Sequence, residues 1–195
     1  SAGRNKPPGA AILDSRTLEN GVERGPVLEL IEALIAKGAD VNARVKEFPP
    51  QRRFMMPLGS LAWVDFTGQT PFLRAALSAD VPLMKLLLAK GADPNITTLN
   101  GTTALMAAAG VNWVIGQTYS ESPAMYLEAV KLCLELGGDV NAVNAMGLAA
   151  VHGAANRGSD DIIELLARNG ARLDIKHKEG RTPMTWAEGV FLATN

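Results

Sequence analysis

Two histidines, one cysteine and one acidic pair are the side chains of this sequence that are best suited to chemistry. His152 and His177 carry imidazoles, which serve elsewhere as general bases or zinc ligands, and Cys133 carries a thiol that can act as a nucleophile. One cysteine and two separated histidines do not have the spacing of a zinc site. Asp160 and Asp161 are adjacent, and this pair is better explained as the acidic start of a helix than as a metal-binding pair. We therefore predict no bound metal.

Phosphate chemistry and acyl transfer need local signatures that the sequence lacks. Gly9, Gly21 and Gly25 are too scattered to form a phosphate-binding loop, and the motif GxxxxGK[ST] does not occur. Serine, histidine and aspartate are present, but no local signature ties them into a catalytic triad. The sequence therefore predicts neither a catalytic activity nor a cofactor.

Composition places the chain among globular proteins and limits its partners. Of the 195 residues, 47% are hydrophobic, 20% are charged and only 5% are aromatic, so the core must be largely aliphatic. The net charge of −1 favours neither nucleic acid nor an anionic membrane as a partner. A single cysteine excludes an intrachain disulfide. We predict a monomer with a protein partner, and no binding of nucleic acid or membrane.

Targeting signals are not evident, and the compartment stays open between the cytoplasm and the periplasm. The segment Ser1–Pro8 is polar and lacks the apolar region of a signal peptide. No apolar run approaches the roughly 20 residues that span a bilayer.

Two short phrases recur along the chain at a fixed spacing. The first is Gly-Ala-Asp-Val-Asn at 38–42, which recurs with substitutions at 91–95, 137–141 and 170–174. The second is Gly-x-Thr-Pro at 68–71 and 180–183, which recurs with substitutions at 101–104 and 147–150. A step of 33 residues separates the paired glycines Gly68 and Gly101, Gly137 and Gly170, and Gly147 and Gly180. A fixed step of this length indicates a repeat protein.

Each phrase has a local structural role. Thr70-Pro71 and Thr182-Pro183 are predicted to begin helices, because threonine caps a helix and proline is tolerated in the first turn. An apolar stripe then follows in each unit, and the glycine after it supplies the positive φ that ends a helix. The stripes include Leu83, Met84, Leu86 and Leu87 in one unit, and Ile162, Ile163, Leu165 and Leu166 in another.

The period and the phrases resemble the ankyrin repeat, from about Val27 to Trp186. The resemblance implies an all-α solenoid of stacked helix-turn-helix units with short β-hairpin-like fingers, in about four to five repeats. We predict one domain over 1–195: unit one at 9–45, an insertion at 46–63, unit two at 65–97, unit three at 98–143 with an insertion at 111–123, unit four at 144–176 and a partial unit five at 177–195. The first helix of unit one is placed at Ala10 to Arg16. The pattern is also similar to bacterial-type arrays.

The resemblance also changes the interpretation of the reactive side chains. His152 occupies the histidine position of the family phrase Thr-Pro-Leu-His, where the imidazole bonds to the backbone of the fingers. Cys133 aligns with Leu87 and Leu166 on the apolar stripe, which predicts a buried packing role. His177 lies between two lysines, and we predict that it is exposed.

The two insertions are candidate functional loops, because long loops on a rigid scaffold often carry binding residues. Their aromatic and arginine side chains either fold back over the helices or contact a partner. With the finger and groove positions that the family uses, the candidate contacts are Arg52, Arg53, Trp63, Phe66, Gln69, Leu99, Asn100, Trp113, Tyr119, Met146, Asn156 and Arg157.

The function that these features predict is a non-catalytic scaffold for protein–protein interaction, which uses the concave groove, the finger tips and the inserted loops. One alternative is binding of a small molecule or peptide in a pocket walled by the two insertions. Another is a purely structural segment of a larger repeat array.

Overall fold

The structure, a computed structural model, describes residues 24–46, 66–113 and 122–188. Within these ranges it contains eight helices and no β-strand, so the predicted all-α fold is confirmed. The helices are α1 Arg24–Ala36, α2 Pro71–Leu77, α3 Val81–Ala89, α4 Ala104–Ala109, α5 Pro123–Glu135, α6 Ala150–Arg157, α7 Asp160–Arg168 and α8 Pro183–Ala187. The chain divides into two compact units, Ser1–Ala39 and Asp40–Asn195.

The unit Ser1–Ala39 contains the helix α1. This helix ends at Ala36, and the φ of 93° at Gly38 allows the chain to turn away after the last helical carbonyl groups. Its large apolar side chains Val27, Leu30 and Leu34 are exposed. The partner helix predicted at Ala10 to Arg16 lies outside the described residues.

Helices α2 and α8 of the unit Asp40–Asn195 begin at the threonine caps that the sequence predicts. The Oγ1 atoms of Thr70 and Thr182 accept hydrogen bonds from the backbone N–H groups of Leu73, at 3.2 Å, and Thr185, at 3.4 Å. Thr103 caps α4 in the same way. Capping of this kind typically contributes about 1 kcal/mol each.

Helix α6 begins differently, because Ala149 replaces the threonine and has no side-chain acceptor. Here Nδ1 of His152 accepts a hydrogen bond from the Ala149 N–H at 3.1 Å, so the imidazole compensates for the missing cap. The family resemblance implies a bond from this imidazole to the backbone of the fingers, whereas the bond found here is to the backbone at the start of its own helix.

The predicted start of α7 and the predicted ends of α3 and α7 are also confirmed. Asp160 and Asp161 lie in the first turn of α7, where the positive end of the helix dipole favours them. Gly91 and Gly170 follow α3 and α7 with φ angles of 89° and 86°. An L-residue with a Cβ disfavours this backbone conformation, which explains the recurrence of glycine at this place.

The helices of this unit pack in two rows. The first helices α2, α4, α6 and α8 contact one another in series, and α3, α5 and α7 each pair with the first helix that precedes them. Buried alanines between neighbouring first helices allow this close approach. The largest fully buried apolar side chains, which form the core, include Phe72, Leu73, Leu77, Met84, Leu105, Met106, Leu148, Ile162 and Leu166.

Candidate functional site

Four fingers precede the first helices α2, α4, α6 and α8 of the unit Asp40–Asn195. The structure describes the first finger at residues 40–46 and 66–69, and the others at 91–102, 137–148 and 170–181. Each finger closes through two backbone hydrogen bonds. The first bonds are Val45 N to Gln69 O, Thr98 N to Thr102 O, Asn144 N to Leu148 O, and His177 N to Arg181 O. In the second, a glycine N–H donates back across the finger; these bonds are Gly68 N to Val45 O, Gly101 N to Thr98 O, Gly147 N to Asn144 O, and Gly180 N to His177 O. The described parts of the four fingers therefore share the same pattern of closing bonds.

A buried polar side chain holds the turn at the tip of the second, third and fourth fingers. Oγ1 of Thr98 accepts a hydrogen bond from Thr102 N, and Oδ1 of Asn144 accepts one from Leu148 N, both at 3.0 Å. Nδ1 of His177 accepts one from Glu179 N at 2.9 Å. His177 is only 8% exposed, so the prediction that it lies on the surface is wrong. The physical reason is that its imidazole fixes the turn from inside.

The tips are joined to one another by a further set of bonds, which we call the tip ladder. The N–H groups of Leu99, Ala145 and Lys178 each donate to a carbonyl oxygen of the preceding finger; these acceptors are Thr67, at 2.9 Å, Asn100, at 2.7 Å, and Met146, at 2.9 Å. One bond at each step holds the tips in register. The side chains of Leu99, Ala145 and Lys178 are exposed along this ladder.

Asparagines link the bases of the fingers. Nδ2 of Asn42 donates to the Gly91 carbonyl at 3.4 Å, and its Oδ1 accepts from the Asp93 N–H at 2.9 Å. Asn141 bonds in the same way to the Gly170 carbonyl, at 2.9 Å, and to the Arg172 N–H, at 2.8 Å. We call this two-bond arrangement the asparagine clasp.

The predicted contact residues fall into different environments. Leu99 is 70% exposed and is the most exposed large apolar side chain that the structure describes. Asn100, Met146 and Asn156 are half-buried. Gln69 is only 5% exposed, because it lies inside the closure of the first finger, and its side chain offers little contact surface. The candidates Arg52, Arg53, Trp63 and Tyr119 lie outside the described residues.

Phe66 is half-buried at the first finger, where it lies close to a basic side chain of α2. The guanidinium of Arg74 is 5.9 Å from the centroid of the Phe66 ring. Arg74 itself is exposed, although the sequence-based candidates did not include it. These two residues present an aromatic and a cationic group on the first-helix side of the fingers.

Arg157 was a predicted contact, but the structure places its charged group inside the protein. The guanidinium carbon lies 3.4 Å from the ring centroid of Tyr126 and 5.1 Å from that of Trp113. All three side-chain nitrogens are buried, and they make no hydrogen bond within the part of the chain that the structure describes. Burial lowers the pKa of Arg157, and Tyr126 partly opposes this effect. This burial argues against Arg157 as a contact residue, because a partner cannot reach these nitrogens without displacing their neighbours.

The stacking predicts how substitutions of Arg157 affect stability. We expect Arg157→Ala to lower the free energy of unfolding by about 1–2 kcal/mol, because it removes the contacts with both rings. Arg157→Met keeps most of the packing and removes a buried charge, so we expect it to remain within about 0.5 kcal/mol of the wild type. Urea unfolding of the two variants tests this. An equal loss in both would show that the charge, and not the packing, stabilises this region.

His152, His177 and Trp186 form a buried cluster where the fourth finger meets α6 and α8. The imidazole centroids are 6.1 Å apart with the rings nearly parallel, and Trp186 contacts both histidines edge-on. Burial is the largest cause that lowers the pKa of His152, to about 4; His177 adds to this effect, and the backbone of Arg181 and Ile175 opposes it. The neutral imidazole is therefore the stable form at neutral pH.

The other reactive groups have structural surroundings. Cys133 is buried on α5, and its burial raises the pKa of the thiol to about 12, which keeps it protonated and weakly nucleophilic. This confirms the predicted packing position. Within the described ranges, no group of three or more His, Cys, Asp or Glu side chains is placed to hold a metal ion. Among the helices described, none is long and apolar enough to cross a membrane.

Comparison with known proteins finds family models of ankyrin repeats. A family model described as "Ankyrin repeats (3 copies)" matches residues 122–189, and one described as "Ankyrin repeats (many copies)" matches residues 67–110. Together they cover more than half of the chain.

Three similar proteins contain comparable segments. "Ankyrin repeat domain-containing protein 37" of Xenopus tropicalis is 35% identical over 100 residues, which cover 48% of this chain and 59% of the relative. "Ankyrin repeat and SOCS box protein 16" of Mus musculus is 32% identical over 118 residues, which cover 60% of this chain and 25% of the relative. "Putative palmitoyltransferase ZDHHC13" of Danio rerio is 29% identical over 117 residues, which cover 60% of this chain and 16% of the relative. The chain spans less than two thirds of the length of each of these relatives.

Proposed function

The chain belongs to the ankyrin-repeat family, and from this premise we propose that it is a non-catalytic scaffold that binds a protein partner through its finger tips. Ankyrin repeats generally mediate protein–protein interactions. The contact surface that we propose consists of the tip ladder and the adjacent first-helix side, with Phe66, Arg74, Leu99, Asn100, Met146 and Asn156 as the described contact residues.

The observation that carries this proposal is the exposure of Leu99 on a fixed backbone. Its N–H is bonded to Thr67 O, while its side chain is 70% exposed at the tip of the second finger. A large apolar side chain on a rigid element loses little conformational entropy on binding, and therefore suits the centre of an interface. Polar and charged residues along the tip ladder, such as Asn100 and Lys178, supply a rim.

Site-specific cross-linking tests the proposal. A photoreactive amino acid is placed at position 99 and, as a matched control, at position 173, because Leu173 is also an apolar finger residue and is 50% exposed. The protein that cross-links from position 99 in a native lysate is then purified, and its Kd is measured against the Leu99→Arg and Leu173→Arg variants.

We expect Leu99→Arg to weaken binding by at least about tenfold and Leu173→Arg by less than about twofold. The reason is that loss of an apolar contact at the centre of an interface costs more binding free energy than a change outside it. Equal affinity of both variants, or cross-linking from position 173 alone, would exclude the tip ladder as the contact surface.

The finer features of the scaffold belong to the same proposal. We propose that the chain acts as a monomer, that it does not bind nucleic acid, consistent with its net charge of −1, and that its units have the boundaries given by the repeat spacing. The two insertions supply further contacts in this proposal through Arg52, Arg53, Trp63 and Tyr119. The inserted-loop pocket remains a prediction, because both loops lie largely outside the described residues.

A further inference from the structure

The asparagine clasp shows which chemical group this backbone binds at the base of a finger. In both clasps the carboxamide of one finger bonds to the same two backbone groups of the next finger. One is the carbonyl of the glycine that begins the phrase Gly-Ala-Asp-Val-Asn, and the other is the N–H two residues later. The amide nitrogen donates, and the amide oxygen accepts. A primary carboxamide is therefore complementary to this pair of groups.

The joint between the second and third fingers carries the same groups without the clasp. By position in the phrase, Asn95 corresponds to Asn42 and Asn141, and its partners would be the carbonyl of Gly137 and the N–H of Asp139. Within the described part of the chain, the Asn95 carboxamide bonds to neither group, and these two backbone groups make no other hydrogen bond. All three residues are exposed.

A cleft of about 220 Å³ lies at this joint. Asn95, Gly137, Gly138 and Asp139 line its polar side. Its floor is mainly apolar and includes Phe72, Leu105, Cys133 and Leu136. The cleft therefore combines two polar backbone groups that bind carboxamides elsewhere in this chain with a surface for an aliphatic chain.

We propose that this cleft binds the carboxamide of an asparagine or glutamine side chain in an extended segment of the protein partner. The amide nitrogen donates to the Gly137 carbonyl, the amide oxygen accepts from the Asp139 N–H, and the methylene groups pack on the apolar floor. This carboxamide site rests on the proposed function, and it specifies the kind of side chain that the partner contributes at one position.

The same geometry selects against an acidic side chain. A carboxylate has no hydrogen to donate to the Gly137 carbonyl. The Asp139 carboxylate, which accepts a hydrogen bond from Asn141 N at 2.9 Å, is a like charge in the lining of the same cleft. A glutamate therefore leaves a carbonyl unpaired and meets electrostatic repulsion, whereas a glutamine does neither.

Alanine substitutions test whether the joint is open in solution. We expect Asn141→Ala to lower the melting temperature by several degrees, because it breaks two hydrogen bonds between fingers. Asn95→Ala is expected to change it by less than about one degree, because the Asn95 side chain makes neither bond. If Asn95→Ala lowers the melting temperature as much as Asn141→Ala, then Asn95 closes its own clasp and the proposal is overturned.

A titration with small probes tests recognition directly. The amide signals of the full chain are followed by NMR while N-acetylglutamine methylamide is added, and again with the corresponding blocked glutamate. We expect a saturable shift of the Asp139 amide with the glutamine probe and at least about tenfold weaker binding of the glutamate probe. The Arg172 amide is the internal control, because Asn141 already occupies its clasp.

The outcomes separate this inference from the proposed function. An unchanged Asp139 signal, or equal shifts with both probes, overturns the carboxamide site even when Leu99→Arg abolishes binding of the partner. A selective shift of Asp139 supports the site even when Leu99→Arg leaves the affinity for the partner unchanged, in which case the tip-ladder proposal alone fails.

Discussion

Replacement of Gly153 by alanine is expected to lower the free energy of unfolding by about 3 kcal/mol. A Cβ at this position of α6 would collide with the backbone nitrogen of Val111 and would lie 2.8 Å from the backbone carbon of Gly110. These are backbone atoms, so no flexible side chain can move aside. Helix α6 would have to separate from the end of α4, and the loss of packing would exceed the gain of about 1 kcal/mol that alanine brings to a helix interior.

Chemical denaturation of Gly153→Ala beside Gly25→Ala measures this effect. Gly25 is also a helical glycine, in α1, but a Cβ there has no neighbour within 4 Å. We expect the Gly25 variant to stay within about 1 kcal/mol of the wild type. A Gly153 variant as stable as the wild type would contradict the close contact between α4 and α6.

Acidification is expected to remove about 2–3 kcal/mol of stability through His152 alone. The pKa of His152 is lowered from its ordinary value of 6.5 to about 4 in the fold, so the folded protein favours the neutral imidazole. This contribution is fully present above about pH 6.5 and is lost as the pH falls through that range towards 4. Protonation would also break the bond from Ala149 N–H, because Nδ1 accepts it.

His152→Met provides the matched variant, because Met106 occupies the corresponding position of α4. The free energy of unfolding of both proteins is measured from about pH 8 to about pH 4. Carboxylates titrate in both, so the difference between the two curves isolates the histidine. We expect the wild type to lose more stability on acidification than the variant. Parallel curves would show that His152 has the same pKa in the folded and unfolded states.

Much of the fold is predictable from the sequence because the repeat imposes the same local chemistry in each unit. The threonine caps at Thr70 and Thr182, the positive φ at Gly91 and the buried Cys133 all follow from residue type and position in the period. Each depends on neighbours close along the chain or on one helical face. Such features can be predicted without knowing the distances between repeats.

The features that the sequence did not predict depend on contacts between different repeats. His177 has exposed lysines on both sides, which suggested exposure, yet its position matches those of Thr98 and Asn144, whose side chains hold the other tips. That positional match was the available signal. For Arg157 the sequence carried no comparable signal, because burial of its guanidinium depends on Trp113 and Tyr126 from elsewhere in the stack.

The candidate surface was predictable only in part for the same reason. The exposure of Leu99 follows from its place at a finger tip, whereas the burial of Gln69 depends on the closure of the first finger by Val45. The clasp asparagines recur visibly in the phrase Gly-Ala-Asp-Val-Asn. The absence of the clasp bonds at Asn95, among the described residues, is not encoded in the phrase itself, which carries the asparagine at all three places.

Hydrogen–deuterium exchange of the complex with the cross-linked partner tests the central claim most directly. Binding through the tip ladder predicts slower exchange in peptides that cover residues 97–101, 143–147 and 176–180, with unchanged exchange in α3 and α7 on the other row of helices. Slower exchange confined to α3 and α7, with the finger tips unchanged, would contradict it.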